Sequence, residues 1–303
     1  MNPNDLSGVP IPHPDRSEVA IEAPGDGDGF WAGGPSAVIV EGVFYLAYRL
    51  RRPVMDGRGY ACAIARSDDG VAFETLAVVT KEQFDTESLE RPALVPLADG
   101  GWRLFVSCAT TGSKHWYVDA VDTHDLTTWP IDRKVTVLPG SEKFAVKDPV
   151  VIRSGTNWHL WGCFHPLADP EEADEMSSWY ATSSDGLDWT WRSEVLAGRP
   201  GTWDQRGARI TSVLLDGPRP VAYYDGRASK EENWYERTGI ALGDGLDGFV
   251  PVGDEPLMSP HGDGTLRYLS AVALPDGGHR LFYELGSIDG SHDLHTELVP
   301  PVG

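Results

Sequence analysis

Positive charge is scarce in this sequence of 303 residues, which contains 25 Lys and Arg against 46 Asp and Glu. The resulting formal net charge of −21 repels the phosphate backbone of nucleic acids and the surface of anionic membranes. We therefore expect neither a nucleic acid nor a membrane as a partner. We interpret the acidic excess as charge on solvated loops.

Long apolar segments are absent as well. No run of 18 apolar residues occurs, so the sequence predicts no transmembrane helix. The first 20 residues lack the basic start and the apolar stretch of a secretory signal, so we expect a cytoplasmic location. Cys62, Cys108 and Cys163 are too few for a disulfide framework and have no CxxC spacing, so we expect buried thiols.

Several chemical motifs are missing. No phosphate-binding glycine loop, zinc-ligand spacing or nucleophile elbow occurs, so the sequence predicts neither a metal nor a cofactor. Amphipathic segments with a helical period are nearly absent too. The 34 Gly and 23 Pro are spread along the chain, as expected for many short strands joined by turns.

Two landmarks recur with a period of just under 60 residues. The first is a polar turn that ends in an aromatic residue, with a fifth, weaker copy at 286–294. The second is a dipeptide ending in Pro that opens an apolar run, spaced by 57 residues. The aromatic residues are Phe73, Trp129, Trp189 and Phe249, and the dipeptides are Gly34-Pro35, Arg91-Pro92 and Asp148-Pro149.

These repeats predict an all-β fold, a five-bladed β-propeller of four-stranded antiparallel blades. One blade cannot bury both of its faces alone, whereas radial stacking buries them and leaves only short edges. We expect a single propeller domain over residues 30–303, preceded by an N-terminal extension over residues 1–29. The recurring aromatic residues are expected to pack between blades.

The Pro-containing landmark also predicts where a site lies. Pro fits the first residue of a strand, so the landmark indicates where each innermost strand begins at one mouth of the central channel. Counting along the repeats predicts that one residue from each blade lines that mouth. The predicted ring is Gly34, Arg91, Asp148, about Arg209, and about Tyr268 or Leu269.

Three segments resemble the propeller glycosidases of glycoside hydrolase families 43 and 32. They are the opening PSAVIVEGVFYLAYR, the third-repeat KDPVVIRSGTNWHLWGCF and the S-x-D-G-x-x-W turn at 183–189. The resemblance covers nearly the whole chain. It implies a catalytic site on the propeller axis, with carboxylates that open the first, third and fourth blades.

The resemblance implies roles for three aspartates. Asp148, in the KDP motif, matches the residue that orients substrate or tunes a pKa. Asp204 lies near the acid position of the fourth blade, and Gly34 replaces the expected aspartate of the first. Glycoside cleavage needs one protonated and one ionised carboxyl group, so Asp28 becomes the candidate for a displaced base. Further carboxylates lie near predicted strand ends, at Glu90, Asp225, Glu236 and Glu284.

Other residues near the predicted mouth are candidates for substrate binding. Arginines there either bind a carboxylate or phosphate, or pair with Asp148, Asp204 and Asp225 in a closed network, and both interpretations remain open. Aromatic rings offer a face to a sugar, and His165 a hydrogen bond. The predicted binding residues are Trp31, Arg91, His165, Arg206, Arg209 and Tyr268.

Together these observations predict a glycoside hydrolase-like enzyme that acts on a carbohydrate or glycoconjugate, with an anionic substrate if the arginines are free. The alternative is a propeller that has lost hydrolysis and binds a small molecule or sugar, or that performs a different small-molecule transformation. Gly34 is the residue that favours this alternative, because it cannot supply a carboxylate.

Overall fold

The computed structural model describes residues 6–301, and its regular structure is almost entirely β. Short alternating runs rich in β-branched and aromatic residues form the strands, and Gly, Asp and Pro end them. The strands are β1 (Glu18–Ile21), β2 (Trp31–Val40), β3 (Val43–Arg51), β4 (Gly59–Ser67), β5 (Glu74–Thr80), β6 (Leu89–Pro96), β7 (Trp102–Ala109), β8 (Trp116–Thr123), β9 (Val135–Leu138), β10 (Phe144–Ser154), β11 (Asn157–Pro166), β12 (Ser177–Ser183), β13 (Thr190–Ala197), β14 (Ala208–Leu214), β15 (Val221–Gly226), β16 (Arg237–Gly243), β17 (Phe249–Leu257), β18 (Leu266–Ala273), β19 (His279–Gly286) and β20 (His292–Val299).

Helical structure is confined to single turns. One α-helical turn, α1 (Lys81–Phe84), follows β5 and begins at a capping box in which Thr80 and Gln83 bond each other's backbone. Within residues 6–301, no helix is long and apolar enough to cross a membrane. The remaining helical segments are 3₁₀ turns at Pro14–Arg16, Val54–Asp56, Ile131–Arg133 and Glu231–Trp234.

Antiparallel pairing divides the strands into groups of four, as the repeats predict. Group one is β2–β5, group two β6–β9, group three β10–β13 and group four β14–β17. In group five, β18–β20 are completed by β1, which pairs with β20. Two single parallel bridges, Arg237 to Leu266 and Trp31 to His292, join groups four, five and one into an open twelve-stranded sheet.

Every first strand carries a bulge at the same place. The register shifts at Gly34-Pro35, Arg91, Asp148-Pro149, Thr211 and Tyr268-Leu269. Three of these positions have left-handed backbone: Gly34 (φ 60°), Asp148 (φ 54°) and Tyr268 (φ 52°). In group four the bulge is at Thr211, two residues after the ring position of about Arg209 that counting along the repeats predicts. The count is inexact there because no Pro marks that strand and its repeat is a few residues longer.

Five apolar cores hold the groups together, each shared by two consecutive groups, and the last joins groups five and one. The recurring turn aromatics belong to these cores, as predicted. Phe249 of group four meets Trp161 of group three, and Phe73 of group one meets Phe282 of group five. The three cysteines are buried and free, also as predicted.

The first strands contact one another in the order β2, β6, β10, β14, β18 and again β2. Serine hydroxyls bridge part of this ring, since Ser36 Oγ accepts the Leu94 N–H at 3.0 Å. Ser270 and Ser212 bond the next strand in the same way, at 3.1 Å each. Arg91 crosses between strands and donates to the carbonyl oxygens of Pro149 and Thr211 at 2.6 and 2.7 Å. One end of every group therefore converges on a common centre.

The segment predicted as an N-terminal extension takes part in the sheet. Residues 18–21 form β1, and Leu6, Val9 and Ile11 pack against the core shared by groups four and five. The Tyr223 hydroxyl donates to the Pro10 carbonyl at 2.6 Å. The first five residues of the predicted extension lie outside the described residues.

Candidate functional site

A cavity of about 160 Å³ lies where the first strands begin, on the N-terminal side of their bulges. First strands supply Glu90, Lys147, Arg209 and Arg267, second strands supply Arg49, Arg51 and His165, and Arg227 directly follows the second strand β15. Loops and one bulge complete the wall. Those residues are Arg58, Lys114, Trp116, Ala173, Asp174, Met176, Asn233, Trp234, Glu236 and Tyr268.

The bulges explain why charged side chains meet here. In four groups the residue just before the bulge pairs with one residue of the second strand, and in group four the corresponding pair lies one residue earlier, so each group presents two positions to the centre. The pairs are Gly33–Arg49, Glu90–Ser107, Lys147–Cys163, Arg209–Asp225 and Arg267–Glu284. Most of these ten positions are charged, which is unusual for strand residues that are buried.

Arg209 is the centre of one half of a buried ionic network. Its guanidinium contacts Glu236 at 2.5 Å, Asp225 at 2.7 Å and Asp148 at 3.2 Å. Glu236 also contacts Arg227 at 2.5 Å and Arg267 at 3.4 Å. Each of these carboxylates is therefore paired, which offsets the cost of removing it from water.

Glu284 and Glu90 anchor the other half. Glu284 contacts Arg267 at 2.6 Å, His292 at 2.7 Å and Arg49 at 2.8 Å. Arg49 also contacts Glu90 at 2.7 Å, and Arg51 reaches the other Glu90 oxygen at 3.2 Å. Since Arg267 bonds both Glu236 and Glu284, the two halves form one network.

The missing side chain at Gly33 makes room for this network. A Cβ at position 33 would lie 1.7 Å from Glu284 Oε2 and 2.4 Å from the carboxyl carbon. The Glu284 carboxylate therefore occupies the space that a side chain would fill at the start of group one. The strand has glycine there because two groups cannot share that volume.

The carboxyl groups of the network differ in pKa. Burial raises the pKa of Asp225 to about 7, and the negative charge of Glu236 adds to this effect against the opposing Arg209. For Glu236, burial raises the pKa, but three arginines outweigh it and lower the pKa below the usual value. Burial likewise acts on Glu90, yet Arg49 and Arg51 bring its pKa to about 2. One proton is therefore available near neutral pH beside carboxylates that stay ionised.

Two uncharged groups border the network. The centre of the Tyr268 ring lies 4.0 Å from the Arg209 guanidinium carbon, and the backbone N–H of Tyr268 donates to Asp225 at 3.0 Å. Burial raises the pKa of the Tyr268 hydroxyl well above 10. Burial lowers the pKa of His165 well below its usual range, so its ring is neutral. His165 Nε2 lies 3.4 Å from Cys163 Sγ.

The structure brings some of the predicted site residues together. Arg209, His165 and Tyr268 line the cavity. Asp148 lies directly beneath it and is fully buried; one carboxylate oxygen contacts Arg209 at 3.2 Å and Lys147 at 3.4 Å, and Oδ1 has no partner among the described residues. Arg91 lines a second cavity of about 310 Å³, bordered by the first-strand segments that follow the bulges.

Other predicted residues lie outside the lining of this cavity. Trp31 is buried behind Arg51, with its ring stacked on His292 at 4.5 Å. Arg206 pairs with Asp174 and Glu175 at the rim. Asp204 is fully buried and accepts hydrogen bonds from Arg199, Thr202 and Tyr224, and Asp28 is exposed on a loop.

Sequence reasoning had placed Glu90, Asp225, Glu236 and Glu284 only as secondary carboxylates, and all four belong to the network. It missed six cations that line the cavity, Arg49, Arg51, Arg58, Lys114, Lys147 and Arg267. The signal for Arg49 and Arg51 was two arginines at alternate positions at the end of an apolar run, VFYLAYRLR. Alternate positions of a strand share one face, and an arginine on a buried face needs an acidic partner. No group of His, Cys, Asp and Glu within residues 6–301 has an arrangement that could hold a metal ion.

Comparisons with known proteins show the fold of this chain. No family model and no curated relative matches the sequence. A β-1,2-mannobiose phosphorylase from Listeria innocua superposes with a TM-score of 0.64 at 16% identity, covering 97% of this chain and 94% of that one. A family 32 β-fructofuranosidase from Bombyx mori superposes with a TM-score of 0.67 at 16% identity, covering 93% of this chain and 62% of that one.

A third similar structure carries a different activity. An N-acetylgalactosamine deacetylase from F. plautii, solved with blood group B trisaccharide, gives a TM-score of 0.68 at 12% identity over 93% of this chain and 94% of that one. At these identities the likeness concerns the fold alone. The chain therefore has the β-propeller fold of the propeller glycosidases, which confirms the resemblance predicted from its motifs.

Proposed function

We propose that this chain is a five-bladed propeller and a carbohydrate-active enzyme of the glycoside hydrolase type, with its site in the cationic cavity. Five strand groups, five shared cores and the ring of first-strand contacts support the blade count. Neighbours of the same fold are named as enzymes of sugars: a mannoside phosphorylase family, a β-fructofuranosidase and an N-acetylgalactosamine deacetylase. The observation that carries the activity is a proton-holding carboxyl pair beside a cavity with a separate ionised carboxylate.

The carboxyl pair is Asp225 and Glu236. Asp225 Oδ2 and Glu236 Oε2 contact the same nitrogen of Arg209, at 2.7 and 2.5 Å, and Glu236 lines the cavity. Because the pKa of Asp225 is raised to about 7, the pair holds one proton near neutral pH. We assign Glu236 the delivery of that proton to the leaving oxygen of the glycosidic bond, and Asp225 its storage.

The ionised carboxylate is Glu90, which lines the cavity from a different blade. Arg49 and Arg51 hold its pKa at about 2, so it stays charged at all physiological pH values. It is placed to attack the anomeric carbon or to take a proton from an attacking water as the glycosidic bond breaks. Asp148 keeps its predicted role as a positioning residue, because it contacts Arg209 and Lys147, which line the cavity.

Turnover of a panel of nitrophenyl glycosides, neutral and anionic, tests this proposal. In Glu236→Gln and Glu90→Gln we expect the rate to fall by at least about 100-fold, the typical contribution of a general acid or base. Glu74→Gln is the matched control, since Glu74 is exposed and pairs with Arg66 outside the cavity. Wild-type rates in both cavity variants would overturn the assignment, and binding without cleavage would favour the alternative suggested by Gly34.

The same assay tests the catalytic roles that the resemblance implies for Asp204 and Asp28. The roles of Asp204 as acid and Asp28 as base stay predictions, and neither residue lines the cavity. Asp204→Asn and Asp28→Asn test them directly, with melting temperature as the second readout. Because Asp204 accepts three buried side-chain hydrogen bonds, only a variant that melts like the wild type reports on activity.

A further inference from the structure

The surface of the cavity is cationic although the protein is strongly acidic. Eight Lys and Arg side chains line it, against three carboxylates, Glu90, Asp174 and Glu236. The buried carboxylates of Asp148, Asp225 and Glu284 compensate part of this charge from beneath. A ligand in the cavity therefore meets mainly guanidinium and ammonium groups, in a chain whose net charge is −21.

Arg51 is a buried cation of the cavity whose charge is only partly compensated. It is 4% exposed, and within residues 6–301 its one carboxylate contact is with Glu90 at 3.2 Å, a residue that Arg49 already binds at 2.7 Å. Its Nε is buried and has no hydrogen-bond partner among the described residues. Burial lowers the pKa of Arg51 to about 10, and the neighbouring positive charges of Arg49 and Arg267 act in the same direction.

Aromatic rings hold this guanidinium in place without neutralising it. Its carbon lies 4.3 Å from the ring centre of Trp234 and 4.6 Å from that of Trp31. Trp31 is fixed in turn by a hydrogen bond from its indole N–H to the Gly290 carbonyl at 3.0 Å. A planar donor oriented by two rings is suited to bind an oxyanion, because little side-chain entropy remains to be lost.

We propose that Arg51 and the neighbouring cavity cations bind an oxyanion carried by the sugar, such as a uronate carboxylate or a sugar phosphate. The inference rests on the proposed function for its sugar component. The positive charge needed to offset burial of the anion is already present at Arg51, so binding the anion relieves an unfavourable state of the free protein. Neutral sugars lack this gain, and the cavity discriminates against them.

Calorimetric binding measurements test the proposal with glucuronate, galacturonate, glucose 6-phosphate and N-acetylneuraminate, each compared with neutral glucose, galactose and N-acetylglucosamine. We expect at least one anionic sugar to bind at least about tenfold more tightly than every neutral one, and added salt to reduce the difference. Arg51→Gln should abolish the difference. Arg66→Gln should retain it, because Arg66 is exposed and pairs with Glu74 outside the cavity.

Arg51→Lys protects the test against a folding defect. It keeps the charge, so it should retain part of the preference for the anion while Arg51→Gln does not. No binding of any anionic sugar at 10 mM, equal binding of neutral and anionic sugars, or an unchanged preference in Arg51→Gln would overturn the proposal. Arg51-dependent binding of inorganic phosphate but of no anionic sugar would overturn the sugar-borne form and assign a free oxyanion instead.

The two proposals fail in different ways. Binding of an anionic sugar without any cleavage contradicts the hydrolytic function and leaves the anion site intact. Cleavage of anionic glycosides at undiminished rates in Arg51→Gln contradicts the anion site and leaves the hydrolytic function intact.

Discussion

Asp225 is a fully buried carboxyl group at the centre of the network, between Arg209 and the backbone N–H of Tyr268. Its neighbours do not compensate the cost of burying its charge, so its pKa rises from 3.8 to about 7. Glu90 is buried nearly as deeply, but two arginines bring its pKa to about 2. At the scale of single residues, the number and distance of arginine partners decides which carboxyl group carries a proton.

This pKa makes a testable prediction for stability. Between about pH 4 and pH 7 the folded protein holds a proton on Asp225 that the unfolded chain releases, so this group's contribution to the free energy of unfolding falls as pH rises. We expect Asp225→Asn to remove that fall. The free energy of unfolding of the variant minus that of the wild type should therefore be higher at pH 8 than at pH 4.5, by roughly 2–4 kcal/mol.

Urea denaturation of both proteins at the two pH values measures the difference. Buried histidines with lowered pKa values make the free energy of unfolding rise with pH, the opposite direction. Because both proteins contain these histidines, subtracting the wild-type value from the variant value at each pH cancels their effect. Asp244→Asn is the control. Asp244 is exposed, so the effect of this substitution on the free energy of unfolding should not vary with pH in this way. A difference independent of pH would show that Asp225 is ionised throughout.

The bulged first strand is the element that builds the site. Each bulge separates the two halves of its strand, and in groups two, three and five the residue before it lines the cavity, while segments after the bulges border the second cavity. At Asp148 and Tyr268 this geometry requires left-handed backbone from residues other than glycine. Such strain is retained where other interactions determine the position, and here both residues belong to the ionic network.

Gly33 gives the prediction at this scale. In Gly33→Ala, the new Cβ would displace the Glu284 carboxylate, so Arg49 and Arg267 would each lose one of their buried carboxylate partners. We expect a loss of about 3–5 kcal/mol, the cost of breaking a buried ion pair. Chemical denaturation measures it, and binding of the anionic ligands should weaken in parallel.

Gly248→Ala is the matched control. No atom lies within 4 Å of a Cβ at position 248, and the backbone there is not left-handed. We expect a change of less than about 1 kcal/mol from this substitution. Equal stability of the two variants would mean that Glu284 can move aside without cost.

At the scale of the whole molecule, the two ends of the chain meet in one sheet. The fourth strand of group five is β1, and the preceding residues 6–11 pack on the core of groups four and five. The last apolar core joins groups five and one, so each group is packed on both faces. An arrangement of this kind depends on all groups being present, because one unpaired edge exposes a core.

Removal of residues 1–22 tests this dependence. The truncated chain loses the pairing of β1 with β20 and the contacts of Leu6, Val9 and Ile11. We expect its melting temperature to fall by more than about 10 °C or the chain to aggregate, since an edge strand and part of a core are exposed. A synthetic peptide of residues 6–22 should restore part of the loss, whereas the same peptide with Ile11→Asp and Ile21→Asp should not. An unchanged melting temperature on truncation would contradict a structural role for this segment.

The repeat and the four-stranded groups were predictable from the sequence, because each depends on residues close together in the chain. Asp-Gly turns end a hairpin, and alternating apolar residues cover a sheet face. The Pro-containing landmark was expected to open each innermost strand, and this was wrong, since Gly34, Arg91 and Asp148 lie two to four residues inside β2, β6 and β10, at bulges that the sequence did not predict. The same local patterns recur in each group, so the prediction of a propeller fold followed from them.

Which side chains meet in the cavity was decided only by the tertiary structure. Arg209 contacts Asp148 from 61 residues away, and Arg49 contacts Glu284 from 235 residues away. No local pattern specifies such pairs, because they depend on how the groups pack around their common centre. The sequence determined that charged residues stand at strand ends; packing decided that Glu90, Asp225 and Glu236 join one ionic network while Asp204 is held elsewhere. The physical reason is that a carboxyl group takes its pKa and its role from neighbours that only the folded chain supplies.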